Sequence, residues 1–144
     1  MRVIKISSCI ALIMLFTSAC VKNVNVNPNE KLVGNWKVTQ AQGQLYSNGT
    51  PGLMLTDTAT TGNIQFNSNG TGKSNFSFAL FGVVFPNVYN FSYTVSDAEV
   101  RIKQYGKSDL IWTRVSNENN VQVAYYTINL DATQNVRCTL TLKK

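Results

Sequence analysis

Few side chains in this 144-residue chain could carry out chemistry. It has no histidine, so imidazole-based acid–base catalysis is excluded and zinc lacks one of its usual ligands. Catalysis would have to use paired carboxylates instead. All but one of the candidate acidic residues lie at predicted turns or strand ends, where acidic residues are ordinary. They are Asp57, Asp97, Glu99 (the exception), Asp109, Glu118 and Asp131. The sequence therefore predicts no catalytic residues, no metal and no cofactor.

The first twenty residues have the pattern of an export signal. Met1–Lys5 is basic, an apolar stretch follows, and small residues ending in Ala19 precede Cys20. The segment resembles the lipobox of bacterial lipoproteins, in which the cysteine thiol receives a diacylglycerol and the new amino terminus is acylated. The resemblance implies that residues 1–19 are removed as a signal peptide and that Cys20 anchors the chain to a membrane. The alternative is an ordinary signal peptide cut near the same place.

Removal of that signal changes both the charge and the cysteine content. The full chain has 13 Lys and Arg against 7 Asp and Glu, and the loss of Arg2 and Lys5 lowers the formal net charge from +6 to +4. The remaining basic residues are scattered, so the sequence predicts no basic face and disfavours nucleic-acid binding. Cys9 is lost as well and Cys20 is the lipid site, which leaves Cys138 as a small, buried strand residue.

From residue 32 onward, short runs of alternating apolar and polar residues are separated by Gly, Asn, Ser and Asp. This pattern is typical of antiparallel strands joined by tight turns. The sequence predicts an all-β fold, a single antiparallel up-and-down β-barrel of about eight strands over residues 32–144. The predicted strands are residues 33–41, 62–67, 72–81, 87–96, 98–104, 109–115, 120–130 and 135–143.

Two segments depart from this pattern. Residues 20–31 are rich in asparagine and contain a proline, which predicts a flexible tether, although Val24 and Val26 also allow a short edge strand. Residues 42–61 contain Pro51 and several threonines, which predicts a long loop. In the alternative interpretation, part of that loop, residues 53–55, folds back and plugs the core.

A short motif opens the first predicted strand. Gly34-Asn35-Trp36 resembles the G-x-W motif of lipocalins and of the lipocalin-like domains found in many lipoproteins of Gram-negative bacteria. Later segments, residues 64–72, 93–102 and 137–144, resemble the hairpins and closing strand of those domains. The resemblance implies that Trp36 closes the barrel floor and that an arginine stacks across it. Arg137 is the residue that could take this part.

Aromatic residues concentrate between residues 76 and 93. Alternation gives each of two neighbouring strands one aromatic face. The candidate ligand-binding residues are these two rows, the apolar turn between them and two later aromatic residues: Phe76, Phe78, Leu80, Phe81, Phe85, Tyr89, Phe91, Tyr93, Trp112 and Tyr125. Tyr126 is expected to face outward. Two interpretations remain open, because such rows either fill a small barrel or line a cavity for an apolar molecule.

The patterns and the resemblance together predict a lipid-anchored envelope protein that binds a small hydrophobic ligand. The alternative is a structural module that binds envelope proteins or glycans through its outer face. Val21 follows Cys20 where inner-membrane lipoproteins carry an aspartate, so the resemblance implies the outer membrane. Asp57-Thr58-Ala59 resembles an acceptor for bacterial O-glycosylation, which implies a sugar on Thr58.

Overall fold

The structure is a computed structural model that describes residues 28–144. The predicted signal peptide, the lipid site Cys20 and most of the predicted tether lie outside the described residues. The elements are α1 (Pro28–Leu32), β1 (Gly34–Ser47), β2 (Thr50–Asp57), β3 (Thr61–Phe66), β4 (Thr71–Leu80), β5 (Val83–Val95), β6 (Glu99–Lys103), β7 (Leu110–Asn117), β8 (Val121–Asn129) and β9 (Gln134–Lys143).

Strand β1 closes the barrel because it has partners along both edges. Its residues 37–47 pair with β9 on one edge. On the other edge, residues 34–37 pair with β3 and residues 41–47 pair with β2. Strands β2 and β3 therefore follow one another along β1 and share one position in the wall. From β3 to β9, each strand pairs antiparallel with the next strand in sequence. The nine strands thus form a closed barrel with eight positions, which confirms the predicted fold class.

Alternation places one face of each strand in the core, as expected for pleated strands with one buried side. The predicted inward rows on β4 and β5 are confirmed, since Phe76, Phe78 and Leu80 are each 2% exposed and Phe91 and Tyr93 are 5% and 6% exposed. The side chain of Cys138 is buried as expected. The core therefore runs continuously between the walls of the barrel.

The prediction for the two adjacent tyrosines of β8 is wrong. Tyr126 is buried, whereas Tyr125 lies on the outer face and is partly exposed. The register explains the reversal, because Tyr126 pairs with the inward-facing Cys138 on β9, and residues paired across antiparallel strands point to the same face of the sheet.

The long loop predicted at residues 42–61 is also wrong. Most of this segment is the hairpin of β1 and β2, which turns at Asn48 and Gly49, both with positive φ (50° and 76°). Positive φ at both central residues defines the type I′ turn that matches strand twist, and Asn-Gly suits it best. Of the segment expected as a plug in the alternative interpretation, only Leu55 packs against the core, while Leu53 and Met54 are exposed.

The wall of the barrel is incomplete on one side. Strand β6 pairs only with residues 92–95 of the long strand β5. On the far side of the β6–β7 hairpin, pairing between β7 and β8 stops at Thr113 and Tyr125, so residues 126–129 of β8 have no partner on that edge. We call the gap between β5 and β8, beyond the tip of the β6–β7 hairpin, the side opening. It lies toward the hairpin end of the barrel, where β1–β2 and β4–β5 turn; the opposite end, next to α1, is called the tether end.

Candidate functional site

The tether end of the barrel is closed around Trp36. This side chain is fully buried, and its Nε1 donates a hydrogen bond to the Leu32 carbonyl of α1 at 2.6 Å. Gly34 precedes it with a φ of 136°, and a Cβ there would lie 3.0 Å from Cε of Lys144. The backbone and the packing both favour glycine at this position. Trp36 is thus buried where α1 meets the first strand, and its role as the barrel floor remains a prediction.

The cation above Trp36 is a lysine, so the predicted pairing with Arg137 is wrong. Lys144 Nζ lies 4.7 Å from the centre of the Trp36 ring. Arg137 lies on the outer face of β9, between the rings of Tyr46 and Tyr125, at 5.1 and 4.7 Å from their centres. The reason is position along the strand: Arg137 pairs with Gln44, near the hairpin end, whereas Trp36 lies at the tether end. Only the end of β9 and Lys144, which follows it, reach the tether end.

Aromatic rings occupy the interior above this floor. The ring of Phe66 contacts those of Phe91, Tyr93 and Trp112 edge-on, with centroid distances of 5.4, 5.0 and 6.4 Å. Toward the hairpin end, the Phe78 ring stacks with those of Phe76 and Phe85 at 6.2 and 5.3 Å. The two aromatic rows therefore pack on one another through this part of the barrel, as the filled-core interpretation expects.

Inward-facing side chains become more exposed at the side opening. Four residues of the surrounding strands face inward by alternation, pack against the core and remain partly exposed: Phe85 and Tyr89 on β5, Leu110 on β7 and Ile128 on β8. Their exposure follows from the missing strand pairs, because no neighbouring strand covers them there. The opening therefore has an apolar rim.

A concavity of about 340 Å³ lies where β7 and β8 separate, at the edge of the side opening. Its lining includes the inward-facing Leu110 and Tyr126 and the outward-facing Ile111, Tyr125 and Thr127. The Tyr126 ring stacks on that of Trp112 at 6.0 Å. Trp112 Nε1 is buried and has no hydrogen-bond partner among the described residues. An unpaired buried N–H costs about 1–3 kcal/mol, so an acceptor reaching this atom would bind favourably.

Buried hydroxyl and thiol groups surround the same region. Burial raises the pKa of Tyr89, and the nearby Ser74 hydroxyl, which donates to the Asn87 carbonyl, partly offsets that shift. Burial is also the main cause of the raised pKa of Tyr126, to which the neighbouring Cys138 and Tyr89 contribute. Burial raises the pKa of the Cys138 thiol to about 11, against a smaller lowering effect of Tyr126. These groups are neutral at physiological pH, so the interior presents apolar surface and neutral dipoles to a ligand.

The acidic residues considered for catalysis are dispersed over turns and ion pairs. Glu99 and Asp109 bind Arg101 at 3.0 and 3.4 Å. Asp131 accepts the backbone N–H groups of Thr133 and Gln134 in the β8–β9 turn, and these hydrogen bonds lower its pKa. Among the described residues, no three His, Cys, Asp or Glu side chains form a group that could hold a metal.

Thr58 is exposed between β2 and β3. The preceding Asp57 accepts hydrogen bonds from the backbone N–H groups of Ala59 at 2.8 Å and Ala79 at 2.6 Å. The carboxylate therefore fixes the bend between the two strands, and it presents Thr58 on an ordered turn.

The side opening is the feature that sequence reasoning missed. Tyr89, Phe85 and Trp112 were in the predicted ligand set, but Leu110, Tyr126 and Ile128 were not. The short predicted strands 98–104 and 109–115 were the available signal, since a hairpin shorter than the strands on either side must leave part of their edges unpaired.

The topology defines a class of architecture. Closed, eight-position, antiparallel barrels with consecutive strands as neighbours are up-and-down barrels, to which lipocalins belong. No family model and no curated protein matches the sequence. Among solved structures, a deswapped triple mutant of bovine odorant-binding protein is similar, with 20% identity over 79% of this chain and 74% of the other, and a TM-score of 0.43. No helix in the described part of the chain has the length and apolar character to cross a membrane.

Proposed function

We propose that this protein binds a small, largely apolar molecule at the side opening of its barrel. The observation that carries the proposal is the group of inward-facing apolar side chains that the incomplete wall leaves partly exposed: Phe85, Tyr89, Leu110 and Ile128. Apolar surface with a few polar groups is the usual composition of a small-molecule site. A ligand seated there would remove this surface from water, at roughly 25 cal/mol for each Å².

The polar atoms near the opening indicate what else the ligand should carry. The buried N–H of Trp112 lacks an acceptor. The adjacent tyrosine and cysteine groups are neutral and buried. A ligand with an apolar body and one hydrogen-bond acceptor would satisfy both the rim and this donor. Fatty alcohols and fatty-acid esters have this chemistry, because neither brings an ionised carboxylate to a site whose own groups are neutral.

We also propose that Cys20 is acylated and anchors the barrel to the outer membrane of a Gram-negative envelope, with residues 20–31 as the tether. The support is the sequence pattern before Cys20 and its resemblance to a lipobox. Metabolic labelling with radioactive palmitate is expected to label the wild-type chain and not the Cys20→Ser variant. Equal labelling of both would contradict the anchor.

The ligand proposal is tested by native mass spectrometry of the protein purified from the envelope of its own cells. A single bound apolar species at stoichiometric level is expected. Leu110→Lys places a charge at the rim and should abolish the adduct, whereas Val115→Lys, on the exposed face of the same strand and outside the concavity, should retain it. Repeated absence of an adduct from the wild-type protein would contradict ligand carriage and favour the structural module.

A sugar on Thr58 is a separate proposal, supported by the exposed position of this residue on an ordered turn. Intact-mass measurement of the protein from its native cells should show a glycan mass that Thr58→Ala removes. An unchanged mass in the variant would contradict modification at this residue.

A further inference from the structure

The outer face of the barrel gathers lysines that are far apart in sequence. Two surface concavities of about 730 and 520 Å³ lie on neighbouring strands. Lys73 and Lys103 line the first, and Lys37, Lys143 and Lys144 line the second. No basic face is apparent from the sequence, because these lysines are scattered along it. Strand register places these residues side by side, and sequence spacing does not contain that information.

The two concavities share no lining residue but adjoin through strand pairs, and we call the surface that they cover together the lysine band. Lys143 pairs with Lys37, and Lys37 pairs with Asn63 on β3. The next row runs from Asn35 through Gln65 and Lys73 to Asn90. Ser92 then pairs with Lys103 on β6. The six adjacent strands from β9 to β6 extend for about 24 Å along the curved outer wall at the usual strand spacing.

The charge of the lysine band is uncompensated. No Asp or Glu lines either concavity. Within residues 28–144, the ion pairs join Arg101 to Glu99 and Asp109, so none of the five lysines is neutralised. Lys37 and Lys143 are also direct cross-strand partners, and like charges in that position destabilise a sheet. A bound anion would remove this repulsion.

Amide side chains separate the lysines. The Asn63 amide donates to Asn35 at 2.8 Å, and the Gln65 amide donates to Asn67 at 3.0 Å. These hydrogen bonds hold the amides in place, and each amide has further donor or acceptor capacity for a ligand. Tyr105, which is fully exposed, stands at the wall of the larger concavity and offers a ring face. The surface therefore combines cations, oriented amides and one exposed aromatic ring.

We infer that the lysine band binds an extended acidic polysaccharide. Amides match sugar hydroxyls, ammonium groups match carboxylate or sulfate groups spaced along the chain, and a band that follows the outer wall across six strands suits a linear polymer. The band contains no arginine, the residue that suits bidentate phosphate contacts. Tyr105 alone could stack on a base, whereas single-stranded nucleic acids are usually held by several aromatic residues. A flat membrane surface would reach only part of a band that curves around six of the eight positions of the barrel.

Isothermal titration of the full chain held in neutral lipid nanodiscs, without detergent, tests this inference. Oligogalacturonate is the probe, with neutral dextran of matched length, inorganic phosphate, a single-stranded oligonucleotide and phosphatidylglycerol vesicles as comparisons. Oligogalacturonate should bind, with an affinity that falls as salt increases. Dextran and phosphate should bind at least tenfold more weakly. Equal or tighter binding of the oligonucleotide or the vesicles would overturn the assignment to polysaccharide.

Paired variants test the position of the site. Lys73→Gln/Lys103→Gln and Lys37→Gln/Lys143→Gln should each weaken oligogalacturonate binding roughly tenfold, as expected for the loss of two exposed ion pairs. Lys31→Gln/Lys107→Gln lowers the net charge equally but lies outside the band, and should leave the affinity within twofold. Equal losses of affinity in all three double variants would contradict a site at the lysine band, because they would show an effect of net charge alone. A loss in only one of the two band variants would show that the two concavities do not bind the polymer together.

Discussion

The two ends of this barrel are built from the same alternating strands but differ in how the wall is completed. At the tether end the strand pairs continue around most of the wall, and Trp36 and Phe66 are almost fully buried. Toward the hairpin end the short β6–β7 hairpin leaves parts of β5 and β8 without partners, and Phe85 and Tyr89 remain partly exposed. The inward side chains that surround the side opening thus remain partly exposed where the neighbouring strand is missing. Stability should therefore depend most on the tether end, and ligand binding on the side opening.

The largest expected effect is at the tether end. Phe66→Ala removes a ring that contacts three other rings in the closed part of the core. Truncation of a fully buried Phe leaves a cavity, so the free energy of unfolding should fall by about 3–5 kcal/mol in urea denaturation. A loss below about 1 kcal/mol would contradict the closed packing of this end.

A matched substitution at the side opening should lower the free energy of unfolding by a smaller amount. Phe85→Ala removes a partly exposed ring that stacks with Phe78 at 5.3 Å. Because less apolar surface returns to water and solvent reaches the site, the expected loss is about 1–2 kcal/mol. The same denaturation measurement applies, with an unchanged m-value as the control. A loss equal to that of Phe66→Ala would show that the two ends are packed alike.

The free energy of unfolding at alkaline pH tests whether the Cys138 thiol is buried in the core. The pKa of the Cys138 thiol is about 11 in the folded protein against an ordinary value of 9.0. Above pH 9 the unfolded chain releases this proton while the folded chain retains it, so the free energy of unfolding should fall as pH rises from 9 to 11. Below pH 9 this contribution is constant.

Cys138→Ala is the control for that pH dependence. The variant should show a shallower decline between pH 9 and 11, whatever its stability at neutral pH. The buried tyrosines Tyr89 and Tyr126, whose pKa values are also raised, account for the decline that remains above pH 10. Superimposable slopes for the variant and the wild type would contradict a buried thiol.

The smallest expected effect concerns the cation at the tether-end floor. Lys144→Gln should lower the free energy of unfolding by about 0.5–1 kcal/mol, the usual value of an exposed cation–π contact. In a Trp112→Phe background, this change should also shift the emission of Trp36, whereas Arg137→Gln should not. A shift caused by Arg137→Gln instead would restore the pairing expected from the sequence.

Alternation was enough to predict the barrel and its inward rows on β4 and β5, because the pleat itself imposes the period. It was not enough for Tyr125 and Tyr126, whose faces depend on register with β9. The β1–β2 hairpin was missed although Asn48-Gly49 is a strong turn signal, since Pro51 and the threonines suggested a loop.

Neither the side opening nor the lysine band could be predicted from the sequence, and the reason is the same for both. The opening depends on where strand pairs end, at Ser92 and Lys103 on one side and at Thr113 and Tyr125 on the other. The band depends on which strands lie side by side. Both are properties of pairing between distant segments, and residue periodicity within a segment does not contain them.

The central claim is that the side opening accepts an apolar ligand, and the most direct test is an equilibrium titration with a fluorescent fatty-acid ester. Wild-type protein should bind one molecule, Leu110→Lys should weaken binding at least tenfold, and Val115→Lys, outside the concavity, should bind like the wild type. Two variants with equal affinity to the wild type, or a wild-type protein that does not bind, would contradict the claim.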